Sequence, residues 1–302
     1  MKAIQFTMYG GPEVLELVEA AEPHADAGQV RIAVHAAGVN PWDSKIRSGA
    51  MQQMAPVAFP AGTGLEASGI VDEVGAGVTG VAVGDAVFGS GPSTFAQYAV
   101  LAFWARKPDA LSFEEAAGYP TAVETAIRIL DQVGVQPGQT VVLSGATGGV
   151  GTATVQIARD RGISVIGTAG AGNQDYLRSL GAVPTTYGDG WVDRVRALAP
   201  NGVDAALDLA GAGVIAELIE LAGEPSKVLS IADFSAPSLG AQVSSNGNGQ
   251  VAAYDEAVRL FEAGSFSLPV TQTFPLEKAG DAQAASETGH TRGKIVVTVA
   301  KA

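Results

Sequence analysis

Apolar and polar residues alternate in short runs through the first third of the chain. Met1 to Phe6, Val14 to Val18, Val30 to His35, Gly69 to Val74 and Asp85 to Gly89 carry the period of two expected of half-buried strands, with turn residues between them. The pattern predicts an all-β, barrel-like region up to about Tyr98. Beyond Leu111, where Ser112 is placed to cap a helix running through Ala117, the period changes. Apolar β runs at Thr140 to Ser144, Ser164 to Thr168, Val203 to Asp208 and Lys227 to Ile231 now alternate with helical ones, which predicts a parallel, doubly wound sheet. From about Gly264 strand character returns, in Leu268 to Phe274 and Lys294 to Val299, so the tail is expected to rejoin the N-terminal barrel. The expected fold is α/β, with a barrel domain over 1–119 plus 262–302 and an inserted domain over 120–261. The Ser-, Asn- and Gly-rich segment Gly240 to Gly249 reads as a loop.

Within the inserted domain, the run Val141 to Ser144 breaks into Gly145-Ala146-Thr147-Gly148-Gly149-Val150-Gly151 and opens at once into a helical pattern. Backbone that approaches phosphate oxygens closely cannot carry Cβ atoms, and a helix start offers unpaired N–H groups with a partial positive charge. Gly148, Gly149 and Gly151 meet that need, with Val150 as the first apolar residue of the helix. The pattern departs from strict G-x-G-x-x-G because Ala146 stands at its first glycine, and a tight strand-to-helix turn is the other reading. Dinucleotide pyrophosphate is the expected ligand. About 20 residues further on, NAD-binding folds carry Asp or Glu for the ribose hydroxyls. Here stand Thr168-Ala169-Gly170-Ala171-Gly172-Asn173, with no acid before Asp175, so nothing repels a 2′-phosphate and NADPH is the expected cofactor. Arg178 is the nearest cation; its alternative is a solvated helix charge.

Composition narrows the field. The 302 residues are 47% hydrophobic and 16% charged, enough for a substantial core and two domains. The absence of cysteine removes disulfides and thiolate metal ligands together. No run has the length of a membrane span, and the N-terminus has no signal-peptide pattern, so the cytoplasm is the expected compartment. A net charge of −13, with basic residues scattered singly, argues against nucleic acid or an anionic membrane as partner.

Across nearly the whole chain, Tyr9-Gly10-Gly11-Pro12-Glu13-Val14-Leu15, Ala37-Gly38-Val39-Asn40-Pro41-Trp42-Asp43, Ile46-Arg47-Ser48-Gly49, Gly148-Gly149-Val150-Gly151 and Gly293-Lys294-Ile295-Val296 carry a family resemblance. The sequence resembles zinc-free medium-chain dehydrogenase/reductases of the quinone oxidoreductase, zeta-crystallin-like branch. The resemblance implies a GroES-like β-barrel catalytic domain with an inserted Rossmann domain, nicotinamide and substrate meeting in the cleft between them, and a homodimer formed through the Rossmann sheet edge around Val228 to Phe234. It also implies that Asn40 and Thr125 lie near the nicotinamide ring and Tyr187 beside the adenosine phosphate. The strand ends Asp208-Leu209-Ala210-Gly211 and Ser230-Ile231-Ala232 belong to the edge where open α/β sheets bind ligands, which makes Asp208, Ala210, Ile231 and Ala232 candidates; plain strand termination is the other reading.

Zinc-dependent relatives carry cysteine where Asn40 stands and histidine where Leu65 stands. An amide and an isobutyl group cannot ligate as thiolate and imidazole do, so no catalytic zinc is expected. Glu66 then reads as a hydrogen-bonded carboxylate, and His24, His35 and His290 show no ligand spacing. Without a Lewis acid or a Ser-His or Cys-His pair, the expected chemistry is hydride transfer from the cofactor to a flat, activated acceptor held by the protein. A quinone is the first expectation and an α,β-unsaturated carbonyl the alternative. Relatives often place tyrosines where Lys45 and Met51 stand, one of which donates a proton in enoyl reductases; Lys45 is the candidate replacement, against a solvent-facing lysine. Trp42, Met51 and Phe88, with Met54 and Phe95, read either as an apolar pocket or as core. A third reading, of another class, is an RNA-binding or structural protein that holds NADPH without turnover; the acidic composition and the glycine cluster weigh against it.

Overall fold

The computed structural model describes residues 1–244 and 250–300. Two compact units emerge, one made of Met1–Thr121, Gln250–Glu262 and the tail from Leu268, the other of the span from Ala122 to the start of that second segment plus Ala263–Ser267.

The first unit opens with strands β1 (Lys2–Phe6), β2 (Glu16–Glu19), β3 (Val30–Val39), β4 (Ala61–Gly62), β5 (Glu66–Val74), β6 (Ala86–Ser90), β7 (Tyr98–Leu101) and β8 (Phe103–Arg106), with helices α1 (Pro41–Arg47) and α2 (Phe113–Ala117). Helix α3 (Tyr119–Val133) leads into the second unit. There follow β9 (Thr140–Ser144), α4 (Gly149–Asp160), β10 (Ser164–Thr168), α5 (Gln174–Leu180), β11 (Val183–Thr185), α6 (Trp191–Leu198), β12 (Ala205–Asp208), α7 (Ile215–Ala222), β13 (Val228–Ser230) and β14 (Gln242–Val243). The first unit resumes with α8 (Gln250–Glu262), β15 (Val270–Pro275), α9 (Ala279–Glu287) and β16 (Lys294–Thr298).

Strand β3 organises the first unit, pairing antiparallel with β5, β7 and β16. Val30, Ile32 and Val34 alternate inward onto Val71, Val87, Leu101 and Ile295, as a strand with one wet face should. From Ala36 onward the alternation stops and every residue is buried, because α2 covers the second face there. Small residues at Ala36, Ala37 and Gly38 make that cover possible. Ser112 caps α2 by accepting a hydrogen bond from Glu115 N at 3.1 Å, and Glu115 closes the capping box, as its spacing predicts. The tail rejoins this sheet through β16, whose Ile295 faces Val39.

The second unit is a parallel sheet of order β11-β10-β9-β12-β13-β14 among the described residues. The chain runs outward from β9 through β10 to β11 and then returns to β12 on the other side of β9, so the strand order reverses at β9/β12.

Four expectations change. Val14 belongs to a 3-10 turn over Pro12–Val14 and not to a strand, because Pro12 presets a helical φ there. Within Gly240 to Gly249, read as a loop, Gln242 and Val243 form β14 against β13; residues 245–249 lie outside the described residues. That strand covers β13, so Val228 to Ser230 are interior and not the sheet edge. Residues 250–261, inside the domain expected over 120–261, belong to helix α8, which clusters with the barrel: Tyr254 packs on Phe88 at 5.8 Å between centroids and donates to Ser90 Oγ at 2.9 Å.

Arg47 joins two of the motifs. Only 2% exposed, it donates to Gly10 O at 3.2 Å and Gln283 Oε1 at 2.8 Å and pairs with Glu287. Gln283 in turn donates to Thr63 Oγ1 at 3.0 Å. Replacing Arg47 by Met strands Gln283 and the Gly10 carbonyl, with an expected loss of about 3 kcal/mol. Urea unfolding checks this, and a loss under about 1 kcal/mol would contradict it.

Candidate functional site

In the second unit, parallel pairing brings five strand ends to one edge. Asp208 lies opposite both Ser144 and Ser230, and Thr168 opposite Thr185. Gly145, at φ +79°, turns the chain out of β9, and Gly148 is the N-cap of α4. The two glycines that flank the helix start differ in what they serve. A Cβ on Gly151 would lie 2.4 Å from Gly145 O and 2.6 Å from Ala146 C, so Gly151 is required by the packing of α4 against the turn. A Cβ on Gly148 would meet only Gly145 O, at 3.9 Å, and its φ of −69° suits any residue. Protein atoms therefore give no reason for glycine at 148, whereas a phosphate on the α4 N-terminus does. Gly149 and Val150 form the first turn, half-buried.

Thr168 and Ala169 are buried at the end of β10; Gly170 and Asn173 bound a 3-10 turn. Gln174 Nε2 holds this turn by donating to Ala169 O at 2.9 Å, Gly170 O at 3.2 Å and Thr185 O at 3.3 Å. Tyr187 is 61% exposed, with its hydroxyl 3.4 Å from where a Cβ on Gly170 would stand, which puts it at the same turn. Arg194 carries the Tyr187 loop, donating to Asp189 O at 2.8 Å and Thr186 O at 3.0 Å. Neither Gln174 nor Arg194 was expected from the pattern, since each acts on backbone carbonyls distant from it in the loop. Arg178 is paired with Asp175, three residues before it, and both side chains are exposed.

Asp208 is fully buried and its oxygens are taken by its own loop: Oδ1 accepts from Ala210 N at 3.2 Å and Gly211 N at 3.0 Å, and Oδ2 from Ser230 Oγ at 2.8 Å. Ser230 Oγ also accepts from Ala232 N at 3.0 Å. Asp208 thus shapes the Ala210 and Ile231-Ala232 segments and offers no atom to a ligand. Thr125 is buried, its Oγ1 accepting from Arg128, which also reaches Ser244 just beyond β14.

In the first unit, Asn40 follows β3 and caps α1, with Asp43 Oδ2 accepting from Asn40 N at 2.8 Å. Asn40 Nδ2 donates to Glu66 Oε1 at 2.7 Å; Lys294 Nζ donates to Asn40 Oδ1 at 2.8 Å and Glu66 Oε1 at 2.6 Å; Thr121 N donates to Glu66 Oε2 at 2.7 Å. All four side chains are buried. Burial, then the neighbouring Glu66, pushes the Asp43 carboxyl up to about 7, against the pull of the Asn40 N–H and Lys294. Pattern reading missed Lys294, although a lysine opening an otherwise unbroken buried strand run was the sign. Lys45 lines a cavity of about 250 Å³ with Pro41, Ser44, Ser48 and Glu287. Trp42 is half-buried and Met51 buried. Phe88 is completely enclosed against Tyr119 and Tyr254, so it belongs to the core and not to a pocket wall. Among the described residues, no group of three His, Cys, Asp or Glu side chains is arranged to hold a metal, and no helix is long and apolar enough to cross a membrane.

A barrel unit joined to a glycine-turn α/β unit defines an oxidoreductase architecture, and comparisons with known proteins agree. Residues 26–105 match the alcohol dehydrogenase GroES-like domain and residues 180–297 the zinc-binding dehydrogenase domain. The chain is 34% identical to rat quinone oxidoreductase over 219 residues, 69% of this chain and 66% of that protein's length. It is 32% identical to tomato 2-methylene-furan-3-one reductase over 98% of this chain and 79% of the relative. Among solved structures, a mycobacterial protein complexed with NADPH superposes with a TM-score of 0.86 at 27% identity, covering 99% of this chain and 100% of that one. The chain belongs to the zinc-free, quinone oxidoreductase branch of the medium-chain dehydrogenase/reductase family.

Proposed function

We propose that the protein is an NADPH-dependent reductase that transfers hydride to a quinone. The observation that carries the reading is the open cradle at Gly148, the N-cap of α4, where an added Cβ would meet only Gly145 O, at 3.9 Å. The N–H groups of Gly148 to Gly151 would hold the pyrophosphate, and the Gly170 to Asn173 turn with Tyr187 the adenosine phosphate, where no carboxylate stands before Asp175. Arg178, in an exposed pair with Asp175, is a further candidate for the phosphate, beside the backbone N–H groups and the Tyr187 hydroxyl. The segments shaped by Asp208 and Ser230, with Thr125, are the second unit's candidates for the nicotinamide end, and Asn40 is the first unit's candidate by the family resemblance.

When bound, NADPH supplies the hydride. The protein's own part is to orient the acceptor and exclude water. Reduction of a quinone consumes the hydride and one proton, which the hydroquinone oxygen takes from solvent, so no side-chain acid is required. Asn40, fixed on both amide atoms, offers its remaining N–H for polar contact. Lys45, which lines the cavity with Ser44, is the candidate donor for an enone, whose carbon needs a proton; the tomato relative's name, that of an unsaturated ketone reductase, favours this second reading. A homodimer, if it uses the sheet edge, would meet through β14 and not β13.

Steady-state oxidation of NADPH against 1,4-benzoquinone and against a 2-enone tests the proposal, with NADH as control. Quinone turnover with NADPH preferred by about tenfold or more is expected. Enone turnover alone, abolished by Lys45→Met, would move the assignment to the second reading; equal use of NADH would overturn the cofactor assignment; silence with both acceptors while NADPH binds would leave a holding protein without turnover.

A further inference from the structure

The polar network behind Asn40 is too constructed to be incidental packing. A buried lysine and a buried glutamate at 4% and 0% exposure are costly unless each is paired and hydrogen-bonded, and here they pair directly at 2.6 Å while Asn40 bonds to both. Two glycines with ordinary backbone angles make room for them. A Cβ on Gly38 would lie 2.2 Å from Glu66 Oε1 and 2.6 Å from Ala117 O, and a Cβ on Gly118 would lie 2.9 Å from Lys294 Cγ. The network therefore draws on β3, β5, β16, the α2–α3 junction and the first turn of α3, whose Thr121 N–H satisfies the second Glu66 oxygen. Its geometry converges on one group. An asparagine amide can rotate by half a turn and exchange its donor and acceptor, but with a carboxylate on Nδ2 and an ammonium on Oδ1 only one sense satisfies both partners.

We propose that Lys294 is a positioning residue: with Glu66 it locks the rotamer and the donor–acceptor sense of the Asn40 amide, so that Asn40 presents its remaining N–H in a fixed direction. The inference rests on the reading that Asn40 contacts the nicotinamide end or the acceptor. Lys294, with its side chain enclosed, acts through Asn40. Asp43 supports the same residue from the backbone side, accepting its N–H, so Asn40 is held at main chain and side chain independently. Loss of Lys294 releases the amide alone.

The test uses the full chain with NADPH and 1,4-benzoquinone, and compares Lys294→Met, Asn40→Ala and the double variant. Lys294→Met/Glu66→Gln, which removes both charges together, is the substitute if Lys294→Met does not fold. Two quantities are read. Solvent exchange of the Asn40 side-chain amide is followed by ¹H–¹⁵N NMR, using the cross-peaks that vanish in Asn40→Ala. Exchange is expected to quicken by about tenfold or more when Lys294 is replaced. The kcat is expected to fall by about tenfold to a hundredfold while the KM for NADPH changes by less than about threefold, and the same replacement in the Asn40→Ala background is expected to add nothing. A residue that merely stabilised the barrel would instead lower activity equally in both backgrounds. Unchanged amide exchange, or effects that multiply in the double variant, would overturn the proposal. The two readings fail differently: fast amide exchange with undiminished turnover rejects the role of Asn40, whereas unchanged exchange rejects the role of Lys294.

Discussion

Replacing Gly148 by Ala is expected to leave the fold as stable as before and to weaken NADPH binding by about tenfold or more, about 1.4 kcal/mol. The added methyl meets a single protein atom at 3.9 Å, and φ −69°, ψ 178° is ordinary extended backbone, so the folded state has nothing to resist it. Loss of glycine's freedom in the unfolded chain adds stability, if anything, by about 0.4–1 kcal/mol. Binding suffers because the methyl enters the space in front of the α4 N–H groups. Gly151→Ala is the contrasting variant: its Cβ would stand 2.4 and 2.6 Å from backbone atoms of Gly145 and Ala146, which cannot swing aside as a side chain would. Helix α4 must then lift from the turn, at a cost of about 1–3 kcal/mol, and the phosphate site is displaced with it. Urea unfolding and NADPH fluorescence titration on the two variants separate the effects. Wild-type affinity in Gly148→Ala would remove the cradle from the cofactor site.

The second large effect concerns Asp43 and pH. Its carboxyl titrates at about 7 in the fold against 3.8 for a free side chain, chiefly because burial penalises its charge. Below the lower value the group is protonated in both states and costs nothing. As pH rises, the unfolded chain releases the proton first, so the folded state loses ground steadily until the folded carboxyl also ionises near 7, after which the difference is constant. The gap corresponds to about 4 kcal/mol, of which about 2 to 3 kcal/mol falls between pH 5 and pH 8. Asn at this position keeps an acceptor for the Asn40 N–H and does not titrate. Denaturant unfolding at the two pH values is therefore expected to show the wild type losing that much more than Asp43→Asn. Equal losses would place the Asp43 carboxyl back in its ordinary range.

Much of the scaffold was legible because it depends on local pattern. Thr140–Ser144 and Ser164–Thr168 are strands over the expected residues, since both faces of a parallel sheet are covered and the apolar run is unbroken. The glycine turn and the Ser112 cap were legible for the same reason. Strand β14 was hidden because Gln242 and Val243 have no pattern of their own, and only the exposed edge of β13 makes them a strand. The barrel's affinity for α8 depends on Tyr254 reaching Ser90, a pairing across 164 residues. At the site, residue types gave Asn40 and Glu66 but not their partner. Lys294 enters from the far end of the chain, and its role depends on a register in which β16 lies beside β3. Phe88 misled in the opposite direction: an aromatic in a strand reads equally as pocket or core, and its neighbours Tyr119 and Tyr254 decide for core.

That register also bears on the order in which the chain can assemble. The central strand β3 leaves the ribosome early, yet its partner β16 is made some 260 residues later, after the whole inserted unit. The inserted unit is nearly continuous in sequence and can fold as it emerges, while the barrel waits with the Ala36–Val39 end of β3 lacking its β16 partner and Glu66 without its counter-charge. A chain arrested before Lys294 would thus carry a competent nucleotide unit beside an unfinished barrel, and protease sensitivity of such nascent chains would be confined to the barrel until the last strand arrives.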